Sequence, residues 1–62
     1  DPRAAPAMAR AASDAAWQVR SGAISYLGRI GGDANRAIIR DHLRDRHIAV
    51  RTTAEMALSD AR

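Results

Sequence analysis

The side chains that could bind a metal or take part in catalysis are few in this chain. Its two histidines, His42 and His47, are five residues apart, and it contains no cysteine. A zinc site needs three or four ligands that converge on one point, whereas these two rings point in different directions on or beside a helix. We therefore expect no metal and no other cofactor. We expect His42 to pack between repeating units instead.

The hydroxyl groups do not form a recognisable nucleophile either. Ser13, Ser21, Ser25 and Ser59 lie outside any Gly-x-Ser-x-Gly elbow. The glycines form neither a Walker loop nor a Rossmann fingerprint, so no nucleotide-binding loop is predicted. A protein without enzymatic activity is the favoured interpretation.

All ten basic residues are arginines, and with seven acidic residues the net charge is +3. Arg36, Arg40 and Arg44 recur every four residues and could meet the phosphates of a nucleic-acid backbone. Asp33 and Asp41 flank this row and partly cancel its field. Contact with nucleic acid is therefore an alternative function, ranked below binding to a protein.

The length of 62 residues allows at most one small domain. The chain contains no run of about 18 apolar residues, which a membrane-spanning helix would need. No signal peptide is visible, so we expect a cytoplasmic protein that makes no membrane contact. Since the sequence begins with Asp1 rather than Met, we expect it to be a piece of a longer protein.

A pattern of residues occurs twice, at an offset of 31. A fixed offset with a helical period inside it is typical of stacked helical repeats. We therefore expect one module over residues 1–62, made of a first repeat, 1–31, and a second repeat, 32–62. The first set and its recurrence are Asp14, Val19, Arg20, Ala23 and Leu27, followed by Asp45, Val50, Arg51, Ala54 and Leu58.

Four helices are predicted, over residues 2–12, 15–30, 33–44 and 46–61, and no strands. Asp14 is the expected N-cap of the second helix. Gly31 and Gly32 should end that helix and turn the chain. The apolar side of the third helix should contain Ile38, Ile39, His42 and Leu43.

The second and fourth helices should each bury one face. The residues expected on these buried faces are Val19, Ala23, Tyr26, Leu27 and Ile30, then Val50, Ala54, Ala57, Leu58 and Ala61. The residues expected on the opposite, outer faces are Ser21, Gly22, Ser25, Gly28 and Arg29, then Thr52, Thr53, Met56 and Asp60.

The stretches 14–31 and 45–58 resemble HEAT-like repeats, and more narrowly the short repeats named after phycobilisome lyases. That pattern is an Asp, then Val-Arg, Ala, Leu-Gly and Ile-Gly. The first stretch matches it throughout, but Ser59 replaces the first glycine in the second. The resemblance implies an all-α, right-handed superhelix of antiparallel helix pairs, whose second helices form a concave face that binds partners.

Arg20 and Arg51 fall at the edge of the apolar faces, where a charge is costly unless it is paired. The turn residues Asp14 and Asp45 are the obvious partners, and the resemblance implies a ladder of such pairs between repeats. We expect Arg20 to bond Asp45 across the repeats, with a contact between Arg51 and Asp45 inside one repeat as the alternative. Trp17 should either pack on the neighbouring repeat or contact a partner.

The favoured function is a non-catalytic scaffold or docking module. Its partner would be another protein or the remainder of its parent chain. Because two repeats without caps leave apolar ends, we also expect self-association. The alternatives are weak nucleic-acid binding through arginines and an accessory part of a lyase. The expected contact residues are Trp17, Gln18, Ser21, Gly22, Ser25, Arg29, Ala49, Thr52, Thr53, Met56 and Asp60.

Overall fold

The computed structural model describes residues 5–60, and all secondary structure in this range is helical. The helices are α1 (Ala5–Ala11), α2 (Trp17–Ile30), α3 (Asp33–Asp41) and α4 (Ile48–Asp60), and a 3₁₀ turn, His42–Arg44, follows α3. Within this part of the chain there is no strand, as expected. The ends of the first and fourth predicted helices, residues 2–4 and 61, lie outside the described residues.

The two Asp residues that were expected to mark helix starts each lie two residues before the N-cap position of their helix. The Oδ1 atom of Asp14 accepts a hydrogen bond of 2.8 Å from the backbone N–H of Ala16, and α2 begins only at Trp17. Asp45 does the same for His47 at 2.9 Å, and α4 begins at Ile48. The prediction of Asp14 as the N-cap was therefore wrong, because each Asp closes a turn that precedes its helix.

Gly31 and Gly32 form the connection between α2 and α3. Their φ angles are +78° and +95°, in the region that only glycine adopts without steric cost. The backbone N–H of Gly31 donates to the carbonyl oxygen of Leu27 and closes the last turn of α2. The sequence prediction of a glycine stop at this point is confirmed.

Helix α2 lies at the centre of the molecule and contacts α1, α3 and α4. A small core forms around it, since most of its neighbours contribute alanine, valine or isoleucine. Arg20 is also buried there. The buried apolar residues are Ala12, Ala23, Ile24, Leu27, Ile39, Val50 and Ala54.

The buried face of α2 differs from the predicted one. Val19 and Ile30 were expected inside but are 42% and 44% exposed, whereas Ile24, which was not on the expected face, is 0% exposed. The buried face of α2 is centred on Arg20, Ile24 and Leu27, because α1, α3 and α4 pack against this side of the helix.

The other helices also depart in part from the expected faces. Leu43 is exposed on the 3₁₀ turn instead of lying on the apolar side of a longer third helix. Ala57 and Leu58 are half-buried against the core. No described helix is long and apolar enough to cross a membrane.

Candidate functional site

An open cleft of about 640 Å³ lies along the outer side of α2 and α4. Its α2 side is formed largely by small residues, and its α4 side adds the long side chain of Met56. The lining residues are Ser21, Gly22, Ser25, Gly28, Arg29, Ile30, Gly31, Thr53, Met56 and Ala57.

The floor of the cleft exists because α2 and α4 approach closely at Gly28. A Cβ atom placed on Gly28 would lie 2.8 Å from the Cβ of Ala57 and 3.4 Å from its Cα. These distances are shorter than the 3.5–4.0 Å or so at which carbon atoms pack best. Gly28 is therefore a contact point between α2 and α4, although the sequence placed it on the outer face of its helix.

A hydrogen-bond chain joins the two helices at the other end of the cleft. The Oγ1–H of Thr53 donates to the carbonyl oxygen of Ala49 at 2.9 Å. A hydroxyl has only one proton to donate, so at the 2.8 Å contact between the two hydroxyls Ser21 is the donor to Thr53. Gly22 lies beside this contact, and a Cβ there would meet nothing within 4 Å.

The rim of the cleft combines apolar side chains with one charge. Met56 and Ile30 are exposed large apolar residues. Arg29 is exposed as well, and its guanidinium carbon lies 5.8 Å from the centre of the Tyr26 ring, within reach of a cation–π interaction. Arg29 is the only charged residue that lines the cleft within the described part of the chain.

The expected contact residues divide into two groups. Those that line the cleft are Ser21, Gly22, Ser25, Arg29, Thr53 and Met56. Trp17, Gln18, Ala49 and Thr52 do not line it, and the side chain of Asp60 lies outside the described residues. Sequence reasoning missed Gly28, Ile30, Gly31 and Ala57, although the low volume of the glycines and alanine is a readable sign of close helix approach.

Trp17 packs outside the cleft on His47, at a ring-centre distance of 4.3 Å and an angle of 16° between ring planes. The Nδ1 atom of His47 accepts a hydrogen bond of 3.0 Å from the backbone N–H of Ala49, in the first turn of α4. Trp17 is nevertheless more than a third exposed. It therefore packs across the two helix pairs while one edge stays open to solvent.

A buried ion pair ties α2 to the turn before α4. Arg20, only 3% exposed, donates from Nε and Nη2 to the two carboxylate oxygens of Asp45 at 2.9 and 2.8 Å. Its Nη1 donates to the carbonyl oxygens of Asp14 and Ala15. This is the contact between Arg20 and Asp45 that we expected from the sequence.

The ion pair shifts the titration of both partners. The hydrogen bonds from Arg20, helped by the backbone N–H of His47, lower the pKa of Asp45 to about 2. The hydrogen bonds to Asp45 in turn raise the pKa of Arg20 above its ordinary value. Both groups are therefore charged over the whole physiological range, and their role is structural.

His42, the first residue of the 3₁₀ turn, contacts the turn that follows α1 as well as its own helix α3, and so packs between the two helix pairs. Its Nε2 lies 2.7 Å from the carbonyl oxygen of Ala12 and its Nδ1 lies 2.8 Å from that of Ile38. A neutral ring can donate to only one of these oxygens and a protonated ring to both. Among the described residues, no group of three or more His, Cys, Asp or Glu side chains could hold a metal ion.

The expected row of arginines on the third helix is not uniform. Arg40 and Arg44 are exposed, but Arg36 is half-buried. The row therefore offers a phosphate backbone fewer accessible cations than the sequence suggested.

A family model described as HEAT repeats matches residues 1–59 of the chain. The match covers all four helices except the last residue of α4. Searches of curated proteins and of solved structures gave no significant match. The relationship thus concerns the repeat itself and says nothing about one particular partner.

Proposed function

The chain belongs to the HEAT repeat family, and we propose that it is a non-catalytic docking module whose cleft between α2 and α4 binds a segment of a partner protein. HEAT repeats commonly act as protein-interaction scaffolds. We propose that residues 1–31 and 32–62 are two such repeats, stacked as part of a right-handed superhelix. In that arrangement α2 and α4 form the concave side.

The observation that carries this proposal is the composition of the cleft. Its floor is made of residues too small to fill it, so a partner can approach the helix backbones at Gly22 and Ser25. Its volume, about 640 Å³, falls in the range of about 300–1,000 Å³ typical of ligand pockets. Exposed Met56 and Ile30 at the rim lose water contact when an apolar side chain enters.

The charge at the rim indicates what the partner segment should contain. Among the described residues that line the cleft, Arg29 is the only charged one and none is acidic. A carboxylate on the partner would therefore find a cation without having to displace an ion pair. The proposed partner is a protein segment with apolar side chains next to an Asp or Glu, and it could belong to another protein or to the rest of a longer chain.

A blocking variant tests the proposal. Because a Cβ on Gly22 meets nothing within 4 Å, Gly22→Leu should fill the cleft without disturbing the core. Gln18→Leu is the matched control, since Gln18 is exposed on the same helix and does not line the cleft. Peptides selected from a random display library on the wild-type chain are then labelled and titrated against both variants by fluorescence polarisation.

We expect the selected peptides to combine apolar and acidic residues. They should bind the Gln18→Leu variant like the wild type, lose binding to the Gly22→Leu variant, and bind more weakly to Arg29→Ala. Peptides that bind Gly22→Leu as well as they bind the wild type would contradict the proposal. Labelled duplex DNA is the comparison probe, and binding that persists as salt is raised would favour the nucleic-acid alternative.

A further inference from the structure

The two ends of the molecule expose residues whose counterparts, 31 positions away, are buried between the helix pairs. Val50 is 0% exposed because α2 covers it, whereas its counterpart Val19 is 42% exposed. Ala12 is 1% exposed, whereas its counterpart Leu43 is 38% exposed. We call the end formed by α2 and the turn before it the leading face. The end formed by the 3₁₀ turn and α4 is the trailing face.

The trailing face also carries an arginine, Arg51, of which only one nitrogen donates to an acceptor within the described residues. Arg51 is the counterpart of Arg20, and its Nη1 donates to the carbonyl oxygen of Asp45 at 2.8 Å, as the Nη1 of Arg20 does to Asp14. The Nε and Nη2 atoms of Arg20 hold a carboxylate. The same two atoms of Arg51 have no carboxylate partner among the described residues.

The leading face carries the matching acid. Asp14 is the counterpart of Asp45, and its Oδ1 accepts the backbone N–H two residues ahead, at 2.8 Å, as the Oδ1 of Asp45 does at 2.9 Å. Its side chain is thus held in the same turn geometry as the acid that Arg20 binds. Asp14 is exposed, and no hydrogen bond to a described side chain occupies it.

We propose that the chain stacks head to tail on a second copy of itself, with Arg51 of one copy binding Asp14 of the next through Nε and Nη2. If the second copy stacks on the first as the α3–α4 pair stacks on the α1–α2 pair, Arg51 and Asp14 take the same relative positions as Arg20 and Asp45 have within the chain. The contact would also cover Leu43 and Ile48 on the trailing face and Val19 on the leading face. This surface is separate from the cleft, so the inference does not depend on the proposed function.

One residue limits the strength of this contact. Glu55 occupies the position on α4 that corresponds to Ile24 on α2, where the side chain is fully buried. A carboxylate cannot be buried there without a partner except at a large desolvation cost. The association should therefore be weak and reversible, and Glu55→Ile should tighten it. Because the two faces are different, the contact does not close on itself and can extend to longer stacks.

Mixing two variants tests the head-to-tail geometry. Arg51→Gln removes the charged fork from the trailing face only. Asp14→Asn removes the charge from the leading face and keeps an oxygen to accept the hydrogen bond from Ala16. Each variant alone should associate much more weakly than the wild type, but the two together should form a one-to-one complex, because one intact Arg51 then meets one intact Asp14. Sedimentation velocity at increasing protein concentration measures this.

The wild-type chain should show a sedimentation coefficient that rises with concentration, and each single variant should weaken association about tenfold or more. Arg40→Gln, which removes an exposed charge elsewhere, should associate like the wild type. Circular dichroism melts of every variant show whether its fold is intact. A wild-type chain that stays monomeric at millimolar concentration would overturn the proposal and leave the trailing face to a further helix pair. Variants that associate like the wild type, or that do not complex when mixed, would also overturn it.

Discussion

Two glycines on α2 should respond in opposite ways to the same substitution. Gly22→Ala places a Cβ where nothing lies within 4 Å, and Gly28→Ala places one 2.8 Å from the Cβ of Ala57. Both glycines lie inside the helix Trp17–Ile30 and neither has a positive φ. The gain in helix propensity should therefore be similar for both, and the difference between them measures mainly the packing of α2 on α4.

The expected size follows from two opposing effects. Alanine is better than glycine inside a helix by about 0.8–1.0 kcal/mol, so Gly22→Ala should stabilise the chain by about that amount. For Gly28→Ala, the gap must widen by roughly 0.7 Å (3.5 − 2.8) to reach the shortest favourable carbon contact. Such overpacking costs about 1–3 kcal/mol, which leaves the variant between about neutral and 2 kcal/mol less stable.

Urea unfolding followed by circular dichroism measures both free energies. A double variant strengthens the test, because Ala57→Gly removes the Cβ that Gly28→Ala would meet. Ala57→Gly alone should cost about 1 kcal/mol of helix propensity. In the double variant the clash is absent, so the two effects should not add, and the coupling should equal the overpacking energy. If Gly28→Ala stabilises the chain as much as Gly22→Ala does, the close contact of α2 with α4 is refuted.

The ion pair gives two further predictions. Arg20→Ala should lower the melting temperature by roughly 10 °C or more, since it strands a buried carboxylate, while the exposed control Arg40→Ala should hardly change it; equal shifts would contradict this. In acid, the pKa of Asp45 is about 2 in the folded chain and 3.8 ordinarily. The contribution of Asp45 to the free energy of unfolding is thus complete above about pH 4 and is lost as pH falls toward 2. The urea midpoint of unfolding should therefore fall less steeply with decreasing pH for Asp45→Asn than for the wild type.

The repeating pattern was enough to predict most of the fold. An offset of 31 residues, with a helical period inside it, predicted the order of the helices and the glycine connection at Gly31. The pairing of Arg20 with Asp45 also followed, because a charge at the edge of an apolar face needs a partner of opposite sign. The helix order and the glycine connection succeeded because each rests on a local requirement of the residue types, whereas the pairing of Arg20 with Asp45 was predicted from their equivalent inner positions in the two repeats.

The buried face of α2 could not be read in the same way. A helical wheel treats arginine as polar, so it turned the predicted face away from Arg20 and toward Val19 and Ile30. In the structure the arginine is buried by its ion pair, and Ile24 is buried beside it. The error thus came from a pairing between residues distant in sequence, which a single-helix pattern does not contain.

The cleft was predicted only in part for a related reason. Six of its lining residues were among the predicted contact residues, but its depth depends on how closely the two helices approach. That distance is decided at Gly28 and Ala57, which are 29 positions apart in the sequence. A pattern within one helix identifies a surface of small residues but does not say whether that surface packs against a neighbour or remains open.

The ion pair and the glycine contact have complementary effects on the same two helices. An alanine-rich interface offers few large side chains to interlock, so it resists sliding of one helix along the other only weakly. Arg20 opposes sliding, because its fork fits the two oxygens of Asp45 in a single register while its Nη1 holds two carbonyl oxygens. With the register set in this way, the residues facing the cleft can remain small. We infer that the buried charge provides positional specificity that larger apolar side chains would otherwise have to supply, and that the surface they would occupy stays open for this reason.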